Sequence, residues 1–563
     1  MLPKRLNRVF GHMTARILAT TALITSLVLL TPYTAAAQRH TLLTPRSAAA
    51  QHRVAAPFVD SGTMTLVGDG LATDIDPANN ESEFGDTVVR NVDEDLIRLA
   101  GSTLSSYEPD LATSWSHNAD KSVWTFHLRH GVRFHTGRCC MTADDVRYSL
   151  ARSVAAGLAG SYMLGRFLTK PFQQIKVLDT YTVQFDLGSP QPIFLGAIAQ
   201  DYNAMILDAR AVRAHRTKSD PYAHDWVSLH DVGTGPYMVQ SWVHGQQVVL
   251  TRFPGYWGGW SGRHFSRIIL REVPDATTRR ELMERGQADL TLDLTPQDYD
   301  ALKHNPKVRV IAPYATQVIY ITMSEGGPLA SRYARQALSY AFNYDALIKG
   351  VYRGYAKRAY GPIPSTVLGY DPHMFHYQTD LAKAKALLRK AGVKPGTVLT
   401  YATTPAFPFP QMGQILYAQL AQIGITLKIQ QLEEAAFNTL FYGTEPFSKR
   451  PNLMPYSWWP DYNDPYDMAV TLIASWMAPP AGSNGGMYHN KEVDALLNQM
   501  KNADREVIIR DAKKLQDITS RLDPPAIWAC EPAQATVLAS TLQGYVFNPV
   551  ELRTYYFYTM HRS

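Results

Sequence analysis

Nine consecutive residues hold the most chemically pointed arrangement in the chain. Ser457-Trp458-Trp459-Pro460-Asp461-Tyr462-Asn463-Asp464-Pro465 sets two carboxylates and three large aromatic rings between prolines. An Asp held against aromatic faces suits an ammonium group. The carboxylate makes a charge-assisted hydrogen bond, and the rings add quadrupole attraction and exclude water. The chemistry implied is capture of an amine-bearing small molecule such as a short peptide. Asp461 would be the acceptor, while Asp464, directly before Pro465, reads as a structural turn residue.

Catalytic and metal chemistry find no comparable support. The sequence has no Gly-x-Ser-x-Gly elbow, no His-Glu-x-x-His helix and no P-loop. No nucleophile–base pair is nominated, so no catalytic residue and no enzymatic activity are assigned. His127, His130 and His135 are close in sequence, but no carboxylate or Cys spacing completes a metal site. No cofactor is expected.

Charge and the N-terminus speak to location. Lys4, Arg5, Arg8 and Arg16 precede a largely apolar run over residues 17–30, and Ala35-Ala36-Ala37 ends it as a small-residue cleavage site. The run falls short of the roughly 20 residues a spanning helix needs, which favours a cleaved signal over an anchor. No Cys stands near the cut, so a lipoprotein is not expected. Residues 1–37 are read as an export signal and 38–60 as a disordered leader. An exported protein free in the periplasm follows. The whole chain has 55 Lys+Arg against 49 Asp+Glu, and the signal holds four of the basic residues and no acidic one. The remaining balance, near +2, excludes a nucleic-acid partner. Three cysteines are few for an exported chain of this size. Cys139 and Cys140 are adjacent and Cys530 is remote, and both a bridge to Cys530 and buried free thiols stay open.

These residues need a large scaffold. About 500 folded residues exceed one core, so two or more lobes are expected. Residues 122–129 alternate as a half-buried strand, with Trp124, Phe126 and Leu128 on one face. Thr142 reads as a helix cap with Asp145 completing a capping box. Thr379 reads as the cap of another helix, stopped by Gly392. Residues 335–342 and 344–352 read as two consecutive helices. Gly233-Thr234-Gly235-Pro236-Tyr237 reads as a tight turn feeding a strand. The fold class is mixed α/β without short repeats.

The order and wording of several segments resemble family 5 of the bacterial extracellular solute-binding proteins, which serve ATP-driven importers of peptides, nickel complexes and related solutes. The segments are Asp74-Ile75-Asp76-Pro77, Leu111-Ala112-Thr113-Ser114-Trp115, Trp124-Thr125-Phe126-His127-Leu128-Arg129, Gly131-Val132-Arg133-Phe134-His135, Thr142-Ala143-Asp144-Asp145-Val146, Gly233-Thr234-Gly235-Pro236-Tyr237, Tyr256-Trp257-Gly258-Gly259, Arg335-Gln336-Ala337-Leu338, Gly361-Pro362-Ile363-Pro364, Gly369-Tyr370-Asp371-Pro372 and the Asp461 stretch. The resemblance implies an α/β two-lobed periplasmic-binding-protein clamp of type II, with an extra subdomain in lobe one. The hinge is expected near Val273-Pro274 and near residues 528–531. Lobe one is then 61–272 with 530–563, lobe two 273–529, and the extra subdomain about 80–200.

The resemblance also implies site roles. Trp458 and Asp461 fit the family's Trp-x-x-Asp-Tyr-x-Asp/Glu-Pro spacing, in which the Asp receives a peptide's α-ammonium. Ser457, Trp458 and Trp459 would offer backbone groups to an extended peptide, as an added strand would. Trp459 and Tyr462 would wall the site. The anchor for a ligand carboxylate is open, with Lys449 and Arg450 upstream in an irregular stretch. Expected partners are a short peptide or other amine-bearing solute and an ABC permease in the inner membrane, with the protein a monomer. A metal chelate, an opine, an antimicrobial peptide or a chaperone-like role are the alternatives, and sugars rank low because Asp461 calls for an amine.

Overall fold

The computed structural model describes residues 62–563 apart from 81–82, 159–160, 201–202 and 552–553. The expected export signal and leader lie outside the described residues. Strand β1 (Thr63–Gly68) is followed by four strands that make a sheet of their own: β2 (Ala112–His117), β3 (Val123–Leu128), β4 (Ile175–Asp179) and β5 (Thr182–Asp186). That sheet is antiparallel in the order β2-β3-β5-β4. The expected alternation holds in β3, where Trp124, Phe126 and Leu128 are buried among Phe134, Val146, Leu150 and Phe185.

Then come β6 (Tyr237–Val243), β7 (Gln247–Arg252), β8 (Arg267–Glu272), β9 (Leu290–Thr291) and β10 (Val308–Ile311). Next are β11 (Val318–Met323), β12 (Ala356–Arg358), β13 (Val398–Thr403), β14 (Thr426–Gln431), β15 (Leu453–Trp458), β16 (Ala526–Pro532) and β17 (Thr536–Ala539). They form two large sheets, ordered β10-β17-β9-β1-β8-β7-β6 and β12-β16-β11-β15-β13-β14. Each sheet is the centre of one lobe.

Strand pairing moves the first changeover downstream of Val273-Pro274. β9 and β10 still pair in the first sheet, β9 alongside β1 and β10 against β17. The chain enters the second sheet only with β11, and returns after β16. Residues 312–317 and 533–535 are therefore the two passages. They run against each other: Tyr314 bridges Ala533, and Gln534 N donates to Pro313 O at 2.8 Å. Val273-Pro274 instead leads into the helix Ala276–Glu284, capped by Asp275.

The second sheet is covered on both faces, which is why β11 is buried along its whole length. Ile319, Ile321 and Met323 face one set of helices, while Val318 and Tyr320 face another built from Pro465–Ile473, Lys491–Met500 and Arg505–Asp517.

Asp145 Oδ2 accepts from Thr142 N at 2.9 Å, so the capping box exists. The other cap belongs to Asp380, which accepts from Lys383 N at 2.8 Å. Thr379 turns back and donates to Phe342 O. The helix Arg332–Ala341 is present, but 346–351 is a single π-helical turn. Cys139 and Cys140 are joined to each other, and Cys530 is a buried free thiol.

Two of the segments that carry the resemblance prove to meet at one buried carboxyl. Glu94 accepts from Thr234 Oγ1 at 2.7 Å, Tyr256 Oη at 3.0 Å and Trp257 Nε1 at 2.9 Å. Gly233 and Gly235 permit this by close approach: a Cβ on Gly233 would lie 2.1 Å from Val92 O. Burial lifts the Glu94 carboxyl to about 8. The Asp76 segment is structural too. Arg152 grips both oxygens of Asp76 in a buried pair, which outweighs burial and holds Asp76 down at about 2.

Candidate functional site

After β15 leaves the second sheet, the Pro460 turn carries Asp461 to the face of lobe two that meets lobe one. Asp464 ends the turn by capping the helix Pro465–Ile473, accepting from Tyr466 N at 2.7 Å. Asp467, in the first turn of that helix, reaches back and accepts from Asp461 N at 2.7 Å. The Asp461 backbone is thus fixed by its own helix.

Lobe one supplies the opposing contacts. Gln200 Nε2 donates to Asp461 O, and Arg166 Nη1 donates to Tyr462 Oη. The Arg166 guanidinium also lies 3.8 Å from Asp467 and 4.6 Å from the centre of the Tyr466 ring. Phe167 meets Tyr462 edge-on, with ring centres 6.4 Å apart. Asn463 Nδ2 donates to Leu104 O at 3.2 Å.

Between these contacts lies a cavity of about 30 Å³, room for a couple of water molecules. Lobe two lines it with Trp459, Pro460, Asp461, Tyr462 and Asn463. Lobe one lines it with Asp86, Leu99, Leu104, Tyr107, Gly196 and Gln200, and with Val550 and Glu551 after the return passage. The lobes are therefore drawn together around Asp461.

Burial is the largest influence on the ionisable groups here. Burial pushes Asp464 up to about 6. Burial, then the neighbouring Asp461, raises Asp467 well above the usual carboxylate range. Burial works against the charged Arg166 guanidinium, but Tyr462, Tyr466 and Asp467 outweigh it and hold it protonated.

The residues singled out from sequence fall into two groups. Asp461, Tyr462 and Trp459 line the cavity, and Trp459 is 37% exposed. Ser457 and Trp458 lie in β15, paired with Ile319 and Val318 of β11. The parallel neighbour β13 pairs with β15 only at Leu453, so the other edge of β15 diverges from it beyond that point. The Trp458 ring packs on the core behind the sheet. Neither candidate carboxylate anchor reaches the cavity. Arg450 is buried, donating to the carbonyls of Phe441, Gly443 and Gly485, and Lys449 pairs with Glu445 at 3.8 Å. The three histidines are spoken for separately. His135 bonds Asp231 at 2.6 Å, His130 stacks on Tyr181, and His127 reaches Thr182.

Arg166, Gln200, Gly196 and Tyr107 were not foreseen. Tyr107 opens the short strand Tyr107–Pro109, Gly196 lies in the five-residue helix Phe194–Ile198, and Arg166 and Gln200 follow short helices, all too brief to show a periodic pattern. The one available hint, an Arg beside aromatics in Gly165-Arg166-Phe167, is too common to act on.

Residues 106–479 match the family described as bacterial extracellular solute-binding proteins, family 5 Middle. The chain belongs to that family. This solute-binding protein is 29% identical over 458 residues to a probable D,D-dipeptide-binding periplasmic protein of Escherichia coli, covering 81% of this chain and 85% of that one. It is 28% identical over 470 residues to heme-binding protein A of Haemophilus influenzae, covering 80% and 83%. Among solved structures, the Helicobacter pylori ABC transporter-associated periplasmic binding protein DppA, in complex with the peptide STSA, superposes with a TM-score of 0.77 at 25% identity. The match covers 89% of this chain and 98% of that one. The two-lobed architecture of this solute-binding protein is that of its relatives. Among the described residues no helix is long and apolar enough to cross a membrane.

Proposed function

We propose that this solute-binding protein captures short peptides with a free amino terminus between its lobes and hands them to an ABC importer of the inner membrane. One observation carries the reading: Asp461 stands in the interlobe cavity with Trp459 and Tyr462 beside it. Its backbone is held by Asp467 from one lobe and Gln200 from the other. A carboxylate placed this way discriminates strongly, because an unpaired buried ammonium is costly. Relatives named for dipeptide binding support the peptide as the class of solute. In this reading residues 62–311 and 536–563 form lobe one, 318–532 form lobe two, and the paired passages between them are the hinge. The edge of β15 beyond Leu453 would pair with the peptide backbone through Ser457 and Trp458. The protein works as a monomer in the periplasm after loss of its export signal, and returns its ligand unchanged.

The test is thermal unfolding with di- to pentapeptides, each free and N-acetylated. A ligand at 100 times its dissociation constant stabilises by about 2.7 kcal/mol, a shift of a few degrees in a large protein. Stabilisation by free but not acetylated peptides supports the proposal. Stabilisation by neither moves the solute to another class.

A further inference from the structure

The two helical faces of lobe two differ in charge. On one face the helices Arg332–Ala341, Leu381–Lys390 and Phe409–Gln422 make a single layer, because Leu338, Leu388 and Leu416 share a core with Ile319 and Ile321 of β11. Residues 381–432 hold Lys383, Lys385, Arg389, Lys390, Lys394 and Lys428, and no Asp or Glu. The chain has 49 Asp+Glu among 563 residues, a composition that would place several in a stretch of this length. All six cations are exposed, and among the described residues none is in an ion pair. Asp380, just before the second helix, is spent as its cap on Lys383 N. Two of the cations rest on rings instead, Lys383 Nζ 4.3 Å from the centre of Tyr340 and Lys390 Nζ 3.9 Å from that of Tyr333. The exposed side of the helix Phe409–Gln422 is uncharged, with Gln411, Gln414, Gln422 and a Tyr417 that is 49% exposed. The opposite face, built on Lys491–Met500 and Arg505–Asp517, mixes the signs: Lys514 pairs with Glu492 and Arg510 with Asp511.

We propose that the acid-free helical face of lobe two rests on an anionic lipid surface. This goes beyond the peptide-capture reading and does not depend on it. Charge complementarity calls for an anionic partner, and the kind of cation decides which one. Lys is depleted from protein–protein interfaces, whereas clusters of Lys and Arg suit anionic headgroups. Four of the cations lie on the exposed helix Leu381–Lys390, Lys394 follows in the next loop, and Lys428 stands on the edge strand β14. Spread in this way, they match a plane of charge rather than a single bound group. Tyr417, on the same helical layer, has the apolar body and polar tip that settle at headgroup level. The contact would hold the protein at a membrane with the mixed-sign face turned to the solvent, and without any apolar segment entering the bilayer.

Flotation of the exported protein with vesicles tests this, using phosphatidylcholine alone and phosphatidylcholine mixed equally with phosphatidylglycerol. The expected result is binding to the mixed vesicles at low salt, none to phosphatidylcholine alone, and release at about 1 M salt, where the screening length falls to about 3 Å. Joint replacement Lys385→Gln, Arg389→Gln and Lys390→Gln should lower the partition coefficient about fivefold per cation, roughly a hundredfold in all. Lys385→Arg with Lys390→Arg keeps the charge and should keep the binding. Lys491→Gln, Lys501→Gln and Arg505→Gln remove the same charge from the opposite face and should leave binding within about twofold of the parent. Each variant is checked for the parent's unfolding temperature. Equal losses in the two triple variants would show attraction by net charge alone and overturn the proposal. So would a first triple variant that binds like the parent. Failure of the parent to prefer the mixed vesicles overturns it as well, and would leave the face to an acidic protein surface.

Discussion

Arg166, from the small subdomain of lobe one, lies 3.8 Å from Asp467 of lobe two and donates to the hydroxyl of Tyr462 between them. One guanidinium thus ties the helix that holds Asp461 to the opposite lobe. Its charge faces Asp464 and Asp467, two carboxyls that burial raises.

Arg166→Gln should weaken peptide affinity about 5- to 150-fold, the ordinary range of a coupling between two events in one protein. The loss follows because the closed state is less populated, not because a ligand contact is gone. Calorimetry should show it for every bound peptide alike, and small-angle scattering should show a larger radius of gyration at saturation. An unchanged affinity would mean that the tie contributes nothing to closure.

Gly196 sets how near the lobes can come. A Cβ there would meet the Tyr462 Cβ at 3.0 Å and the Tyr107 hydroxyl at 3.4 Å. Gly196→Val should cost about 1–3 kcal/mol of binding, the range for overpacking, with little effect on unfolding of the unliganded, open protein. Gly196→Ala should do the same more weakly. Equal damage to unliganded stability would place the clash within one lobe rather than between two.

Asp464 links stability to pH. The unfolded chain releases its proton near the ordinary aspartate value of 3.8, and burial delays release in the folded chain to about 6. Between those values the folded state binds the extra proton, so stability is fullest below 3.8 and declines as the pH rises through 6. Asn can keep the cap on Tyr466 N without the buried charge. Asp464→Asn should therefore raise unfolding free energy by about 1–3 kcal/mol above pH 6.5 and leave it unchanged below pH 4. Urea titrations at pH 4 and 7 measure the difference.

The Cys139–Cys140 bond sits on the subdomain among residues that do not line the cavity. Cys139→Ser and Cys140→Ser should each leave peptide affinity within about twofold of the parent, below 0.5 kcal/mol. A clear loss in a protein of normal stability would show that this loop reaches the ligand.

The Asp461 stretch was legible because its chemistry is local: a carboxylate, aromatic rings and a Pro turn within nine residues. The strand at 123–128 and the capping box at Thr142 were legible for the same reason, since period and cap are properties of neighbours. Asp380 displaced Thr379 as a cap because both can accept from the helix, and only the pull of Phe342 O on the Thr hydroxyl decides between them. The point where the chain changes sheets was not legible, because β9 is two residues long and pairs with β1 across more than 200 positions, which no local pattern reveals. The lobe-one half of the site was hidden likewise. Arg166, Gly196 and Gln200 gain meaning only when Tyr462, Asp461 and Asn463 arrive from the other side.

The most direct measurement is calorimetry of one dipeptide and its N-acetyl form against the parent protein and Asp461→Asn. The account predicts tight binding of the free amine to the parent and a loss of about 1.5–3 kcal/mol in Asp461→Asn, the worth of a hydrogen bond to a charged group. It also predicts weak binding of the acetylated form to both proteins. Equal affinity of both proteins for the free amine would contradict the assignment of Asp461 as the ammonium acceptor.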